Sequence, residues 1–261
     1  MAFPESSRVI YRKNPLVEVI CQLRFPAILR IDTEVPAQYQ EKLRETYPIF
    51  GDSQTSEVKL NLAPDLANLV GSSGPISLRG GKASYEFISG DQSWKVSMDR
   101  ESLALSTVKY ERWEVFKEKL IHALESFVQL YSPLFYSRIG LRYRDVIQRS
   151  NLGLSEAPWS ALLKPHIAGE LSSEIAHDIV HSANQVTIRL DGRGQVLINH
   201  GLAFNQEKEV CYLIDSDFST DQRTELNDAI KILDFFNEQS ARLFRWCITE
   251  RLNEAMEPLP I

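Results

Sequence analysis

The sequence predicts an α+β fold in which antiparallel sheets are each covered by one long helix. Three observations point to it. Several segments alternate apolar and polar residues at period two across hairpin-length gaps, two long stretches repeat apolar residues at helical spacing, and the order strands then long helix occurs twice. The chain has 261 residues, 43% hydrophobic and 25% charged, the make-up of an ordinary globular protein. Its best apolar run, Leu16 to Leu23, is broken by Glu18 and Gln22 and falls short of the ~18 residues that a membrane span needs.

The first half is expected over residues 1–136. It opens with a strand from Leu16 to Phe25, with Val17, Val19, Cys21, Leu23 and Phe25 on one face and Glu18, Gln22 and Arg24 on the other, ended by Pro26. Pro36 can begin a helix that places Tyr39, Leu43 and Tyr47 on one side, and Pro48 stops it. Residues 51–81 are rich in Gly, Ser and Pro and read as loops with irregular edge strands. Strands over 83–89, 93–98 and 103–108, joined by short polar connections, make a meander. A helix then carries Trp113, Phe116, Leu120, Leu124, Phe127 and Tyr131 on one stripe up to Pro133.

The second half, residues 137–261, repeats the plan: a strand over 137–147, a helical stretch near 158–163, strands over 185–190, 195–204 and 209–215, and a closing helix. That helix is expected to start at an N-cap, Ser219, with Gln222 three residues on, and to run its stripe through Leu226, Ile230, Leu233, Ser240, Phe244, Ile248 and Leu252. The opening strands share a phrase, Leu23-Arg24-Phe25 and Leu141-Arg142-Tyr143, which fits a tandem pseudo-repeat. Such a tandem helix-on-sheet plan resembles the topology of TATA-binding and helix-grip proteins, a likeness that carries no function.

Charge divides unevenly. Residues 1–150 hold 20 Lys and Arg against 18 Asp and Glu, and residues 151–261 hold 9 against 17, so the second half is acidic. This disfavours nonspecific binding to nucleic acid or anionic lipid and leaves room for a local basic patch in the first half. Cys21, Cys211 and Cys247 are odd in number, far apart and set among apolar residues, which predicts reduced, buried thiols. Arg8, Arg12 and Lys13 precede only the short interrupted run, with no small-residue cleavage site, so no secretory signal is read and a cytoplasmic location is expected.

Four phrases suggest a family. Asn14-Pro15-Leu16-Val17-Glu18-Val19, Arg138-Ile139-Gly140-Leu141-Arg142-Tyr143, Tyr212-Leu213-Ile214-Asp215-Ser216-Asp217 and Leu233-Asp234-Phe235-Phe236-Asn237-Glu238 resemble a sporadically distributed, uncharacterised bacterial protein family, over nearly the whole chain. That family's last motif usually carries His where this chain has Asn237, so a role for that imidazole does not transfer. The resemblance implies no established activity. Sporadic distribution is typical of mobile operons, including defence and toxin–antitoxin loci.

Most candidate sites fail on their own chemistry. Gly80-Gly81-Lys82 lacks the Gly at 76 and the Ser or Thr at 83 of a phosphate loop, and Gly71-Ser72-Ser73-Gly74 lacks the spacing of a nucleophile elbow. Phe50-Gly51-Asp52-Ser53 with Asp178-Ile179-Val180-His181 resembles the Ser and Asp-x-x-His blocks of GDSL-type hydrolases, in which His181 would activate Ser53. The parallel-strand context and the oxyanion-stabilising Asn are missing, so it stands as an unlikely alternative. His177 and His181 with Glu174 or Asp178 fall short of a zinc set, and Asp215 with Asp217 could hold Mg²⁺ given a third oxygen donor, though such a pair more often ends a strand before a helix N-cap. The strongest feature is Arg138, Arg142 and Arg144 alternating with Ile139, Leu141 and Tyr143, which with Arg24 would line a cationic sheet face unless carboxylates such as Glu18 pair with them. Asn237 on the last helix is a core amide or a pocket residue.

The expectation is therefore a nonenzymatic protein that binds a protein partner, encoded nearby, through the open sheet face or the acidic half. Nucleic acid or a phosphate ligand bound by the arginine row is the alternative. Self-association is left open, and no cofactor, metal or membrane is expected.

Overall fold

The structure, a computed structural model that describes residues 3–52, 83–205 and 207–260, is α+β, built around one large antiparallel sheet. In chain order its elements are β1 (Val9–Tyr11), β2 (Leu16–Arg24), α1 (Arg30–Thr33), α2 (Ala37–Leu43), β3 (Ile49–Asp52), β4 (Tyr85–Ile88), β5 (Trp94–Asp99), β6 (Ser102–Thr107) and the long helix α3 (Trp113–Tyr131). There follow β7 (Arg138–Ile147), α4 (Trp159–Leu162), α5 (Pro165–Ala168), β8 (Ala183–Arg189), β9 (Gln195–Phe204), β10 (Val210–Thr220), α6 (Ala229–Cys247), α7 (Glu250–Ala255) and β11 (Pro258–Pro260).

Among the described residues nine strands lie in the order β3-β4-β5-β6-β2-β7-β10-β9-β8, and β1 pairs with β11 in a separate ribbon. The opening strands of the two halves meet in the middle, Val19 opposite Tyr143, Cys21 opposite Leu141 and Leu23 opposite Ile139. On either side of that seam stands the last meander strand of the same half, β6 beside β2 and β10 beside β7. Pairing by alternate residues sorts the side chains. Val19, Cys21, Leu23, Ile139, Leu141, Leu103, Leu105, Ile214 and Phe218 join one apolar cluster. Into the same cluster α3 inserts Phe116, Leu120 and Phe127, and α6 inserts Leu233, Phe236 and Leu243. Each fully buried Leu or Phe contributes about 1.5–3 kcal/mol, so this layer holds the helices in place. Ser132, in the left-handed region at φ 48, closes α3 just before Pro133.

Three readings of the sequence change. The register slips between Leu16 and Glu18, so Val17 leaves the face of Val19 and packs with Val146 and Cys211 in a small separate cluster. β10 runs on to Thr220, so Ser219 is a strand residue opposite Gly140 and not a helix N-cap; the pattern misleads because Ser216 and Ser219 are small polar residues inside a strand paired on both edges. The final stripe is two helices. α6 stops at Cys247, Ile248 is extended and bridges to Leu163, and the Thr249 hydroxyl caps α7 by accepting from Leu252 N. The three cysteines are free and buried. Among the described residues no helix is long and apolar enough to cross a membrane.

Gly201 marks a place where two strands come too close for a side chain. A Cβ there would overlap the carbonyl oxygen of Ser182, which accepts from Leu202 N at 2.9 Å as β8 begins. Gly201→Ala is expected to cost about 1–3 kcal/mol, as overpacking does, and to speed amide exchange along β8 while β2 and β7 stay protected. Equal loss of protection across the whole sheet would contradict this account.

Candidate functional site

β7 carries two sets of side chains to opposite faces of the sheet, and the sequence-predicted residues separate accordingly. Arg138, Arg142 and Arg144 project away from the helices, where the neighbouring strands supply carboxylates. Arg142 Nε donates to Asp215 Oδ1 at 2.7 Å, and Arg144 Nη1 donates to Glu18 Oε2 at 2.8 Å with its Nε 3.5 Å from Asp215 Oδ2. Arg138 Nη2 donates to Asp217 Oδ2 at 3.1 Å, and Asp221 lies 3.8 Å from its Nε. Arg24 stands 4.0 Å from Glu101. The side chains of Arg144 and Asp215 are only 3% and 1% exposed, so this pair is desolvated and its attraction is weakly screened. Asp215 and Asp217, read as a possible Mg²⁺ pair, lie inside β10 and are engaged by these arginines.

Asn237 lies on the other side of the sheet. Its Oδ1 accepts from the Tyr143 hydroxyl at 3.0 Å and its carbonyl accepts from Ser240 Oγ at 2.8 Å. Beside it opens a cleft of about 120 Å³ between α6 and the sheet, with Tyr11, Tyr110, Asp145 and Ser216 among its walls. Burial, and secondarily the charge of Asp215, push the Asp145 carboxyl up to about 8. Burial likewise raises the Tyr143 and Tyr110 phenols, and Tyr11 goes up to about 12. Asp145 was not among the predicted site residues. The signal existed, because Ile139, Leu141, Tyr143, Asp145 and Ile147 are successive positions on the core-facing side of one strand and only one is charged.

The acidic half ends the sheet in an unusual edge. Six of the seven residues of β8 are exposed; of its apolar side chains Val186 is 39% exposed, and Val180 just before the strand and Phe204 at the end of β9 are 79% and 46% exposed. His177 sits in a single 3-10 turn, 3.2 Å from Asp178, and both are largely exposed. Among the described residues no three His, Cys, Asp or Glu side chains gather to hold a metal ion. Ser53, Gly71 to Gly74 and Gly80 to Lys82 lie outside the described residues. No protein-family model matches the chain, and no curated protein matches it.

Two outcomes follow from these geometries. Asp215→Asn leaves Arg142 and Arg144 buried with one carboxylate fewer and is expected to lower unfolding stability by about 3–5 kcal/mol in urea titrations; a loss below about 1 kcal/mol would show the network to be dispensable. For Asp145 the folded carboxyl holds its proton more tightly than the unfolded one, whose pKa is about 3.9. The resulting stability is complete below that value and is lost as pH rises through about 8. Asp145→Asn keeps the shape without the titration, so the variant should gain on the parent by roughly 2–5 kcal/mol between pH 4 and pH 8. A difference that stays constant with pH is the contrary result.

Proposed function

We propose that this chain is a nonenzymatic, cytoplasmic bacterial protein that acts by binding a protein partner encoded near it, and that the partner adds a strand to the edge of β8. The exposure of β8 carries the proposal. Natural sheets protect their edges with proline, lysine, bulges or a covering loop. β8 has no proline or lysine, keeps regular antiparallel register with β9 from Ala183 to Arg189, and is exposed at six of seven residues. An edge of this kind presents unpaired amides and carbonyls to an incoming strand, and the adjoining apolar residues give such a strand something to bury. The excess of acid in residues 151–261, 17 against 9, favours a basic partner segment.

The same reading extends to the architecture: the two halves are two copies of one plan, akin to the tandem topology of TATA-binding proteins. What supports it is the strand order, in which each half sets its opening strand beside its own last meander strand and follows the meander with a long helix. The arginine row favours a protein partner over nucleic acid, because Arg138, Arg142 and Arg144 already engage Asp217, Asp215 and Glu18.

The test is capture of partners from the native host with the tagged chain and with Val186→Lys/Thr187→Lys. Both changes fall at exposed positions and should leave the melting temperature unchanged. A stoichiometric protein held by the parent and bound at least about tenfold more weakly by the double variant is expected. Nucleic acid released by salt, lost in Arg24→Ala/Arg138→Ala and kept in the double-lysine variant, would replace this proposal with the arginine-row reading.

A further inference from the structure

Asp145 is a largely buried acid that no hydrogen bond or ion pair among the described residues engages. Only 9% of the residue is exposed, and it lines the cleft between α6 and the sheet. Four of the hydroxyl donors around that cleft are spent elsewhere: Tyr11 on Asn253 Oδ1 at 2.9 Å, Tyr143 on Asn237 Oδ1 at 3.0 Å, Ser216 on the Tyr143 carbonyl at 3.5 Å and Ser240 on the Asn237 carbonyl at 2.8 Å. No hydrogen bond or ion pair among the described residues goes to the Asp145 carboxylate. The carboxyl oxygens open onto the cleft, so a molecule entering it meets an acidic group that no protein donor engages.

The walls specify the donor's kind. Tyr110 and Tyr143 meet edge to face with centroids 6.1 Å apart, and Tyr11 and Phe244 do the same at 5.8 Å. Rings beside a carboxylate attract a cation and take its alkyl chain. Two arginines stand among the walls: Arg8 pairs with Glu114 at 2.9 Å, and Arg112 is exposed to solvent beside Glu111 and Glu114, so the charge inside the cleft is that of Asp145. The room, about 120 Å³, is somewhat less than a cavity of about 150 Å³ that holds benzene, which limits the guest to five or six heavy atoms. We propose that this cleft binds the protonated amino group of a small free aliphatic amine, with Asp145 as counter-ion and the aromatic pairs enclosing its chain. This site is separate from the β8 edge, on a different face, and stands or falls independently of it.

The probe is n-butylammonium, titrated calorimetrically into the full chain at about pH 9, where the Asp145 carboxyl is ionised and an alkylamine, like a lysine, still carries its proton, beside butyrate, 1-butanol and Nα-acetyl-lysine methylamide. Saturable binding of butylammonium alone is expected, weakened at least about tenfold in Asp145→Asn, a variant whose folding is checked by its melting temperature. Leu233→Ala, a core change away from the cleft, should lower the melting temperature without altering that affinity. The proposal is overturned by absence of saturable butylammonium binding, by affinity within twofold in Asp145→Asn, or by butyrate binding as well. Equal binding of the lysine derivative would transfer the site from a free amine to a partner's lysine and so overturn it too.

Discussion

The sheet depends on the pairing of β2 with β7. These strands come from different halves of the chain, and every other strand of the large sheet is attached outward from them, β6 to β3 on one side and β10 to β8 on the other. Above the seam the contacts are apolar and insensitive to partner geometry. Below it the contacts are ionic, and they are specific in register: Glu18 lies opposite Arg144, and Arg144 lies opposite Asp215 on the next strand. A slip of one residue would carry the arginines to the helix-covered face, where burying unpaired guanidiniums costs several kcal/mol each. The network therefore acts as a register key across three strands, whatever its net contribution to stability.

One strand thus serves two environments on opposite faces of the sheet. On the far face, opposite charges cancel within bonding distance. On the helix side, a single acid sits among tyrosines without a counter-ion. Asp215 links the two through the sheet, because its charge adds to the burial that holds the Asp145 proton. The ionic seam and the cleft therefore act on each other through charge alone, with burial the larger cause at Asp145.

Much of this was legible in the residues. Alternation at period two found β2, β7 and β9 within a residue or two, and the spacing of Trp113, Phe116, Leu120, Leu124 and Phe127 found α3, since burial on one face is written directly into sequence periodicity. The end of β10 was not, because Ser216 and Ser219 look like turn and cap residues in isolation and become strand residues only through pairing on both edges. The grouping of Arg138, Arg142 and Arg144 on one face was readable; that Glu18, Asp215 and Asp217 would meet them depended on a register fixed by residues more than seventy positions away. Asn237, whose two readings are a core amide and a pocket residue, is half-buried on the cleft wall with its Oδ1 accepting from Tyr143.

The ribbon of β1 and β11 bears on how the protein is made. Tyr11, a wall of the cleft, bonds to Asn253 across 242 residues, and Val9 to Tyr11 find their strand partners only at Pro258 to Pro260. At about 5–20 residues per second, a translating ribosome leaves this wall unpartnered for on the order of tens of seconds after the first strand emerges. The seam of β2 and β7 forms well before that. The cleft's Tyr11 wall thus gains its partner only after every residue of the β2–β7 seam has been made, so the ionic register can be set before this wall is in place.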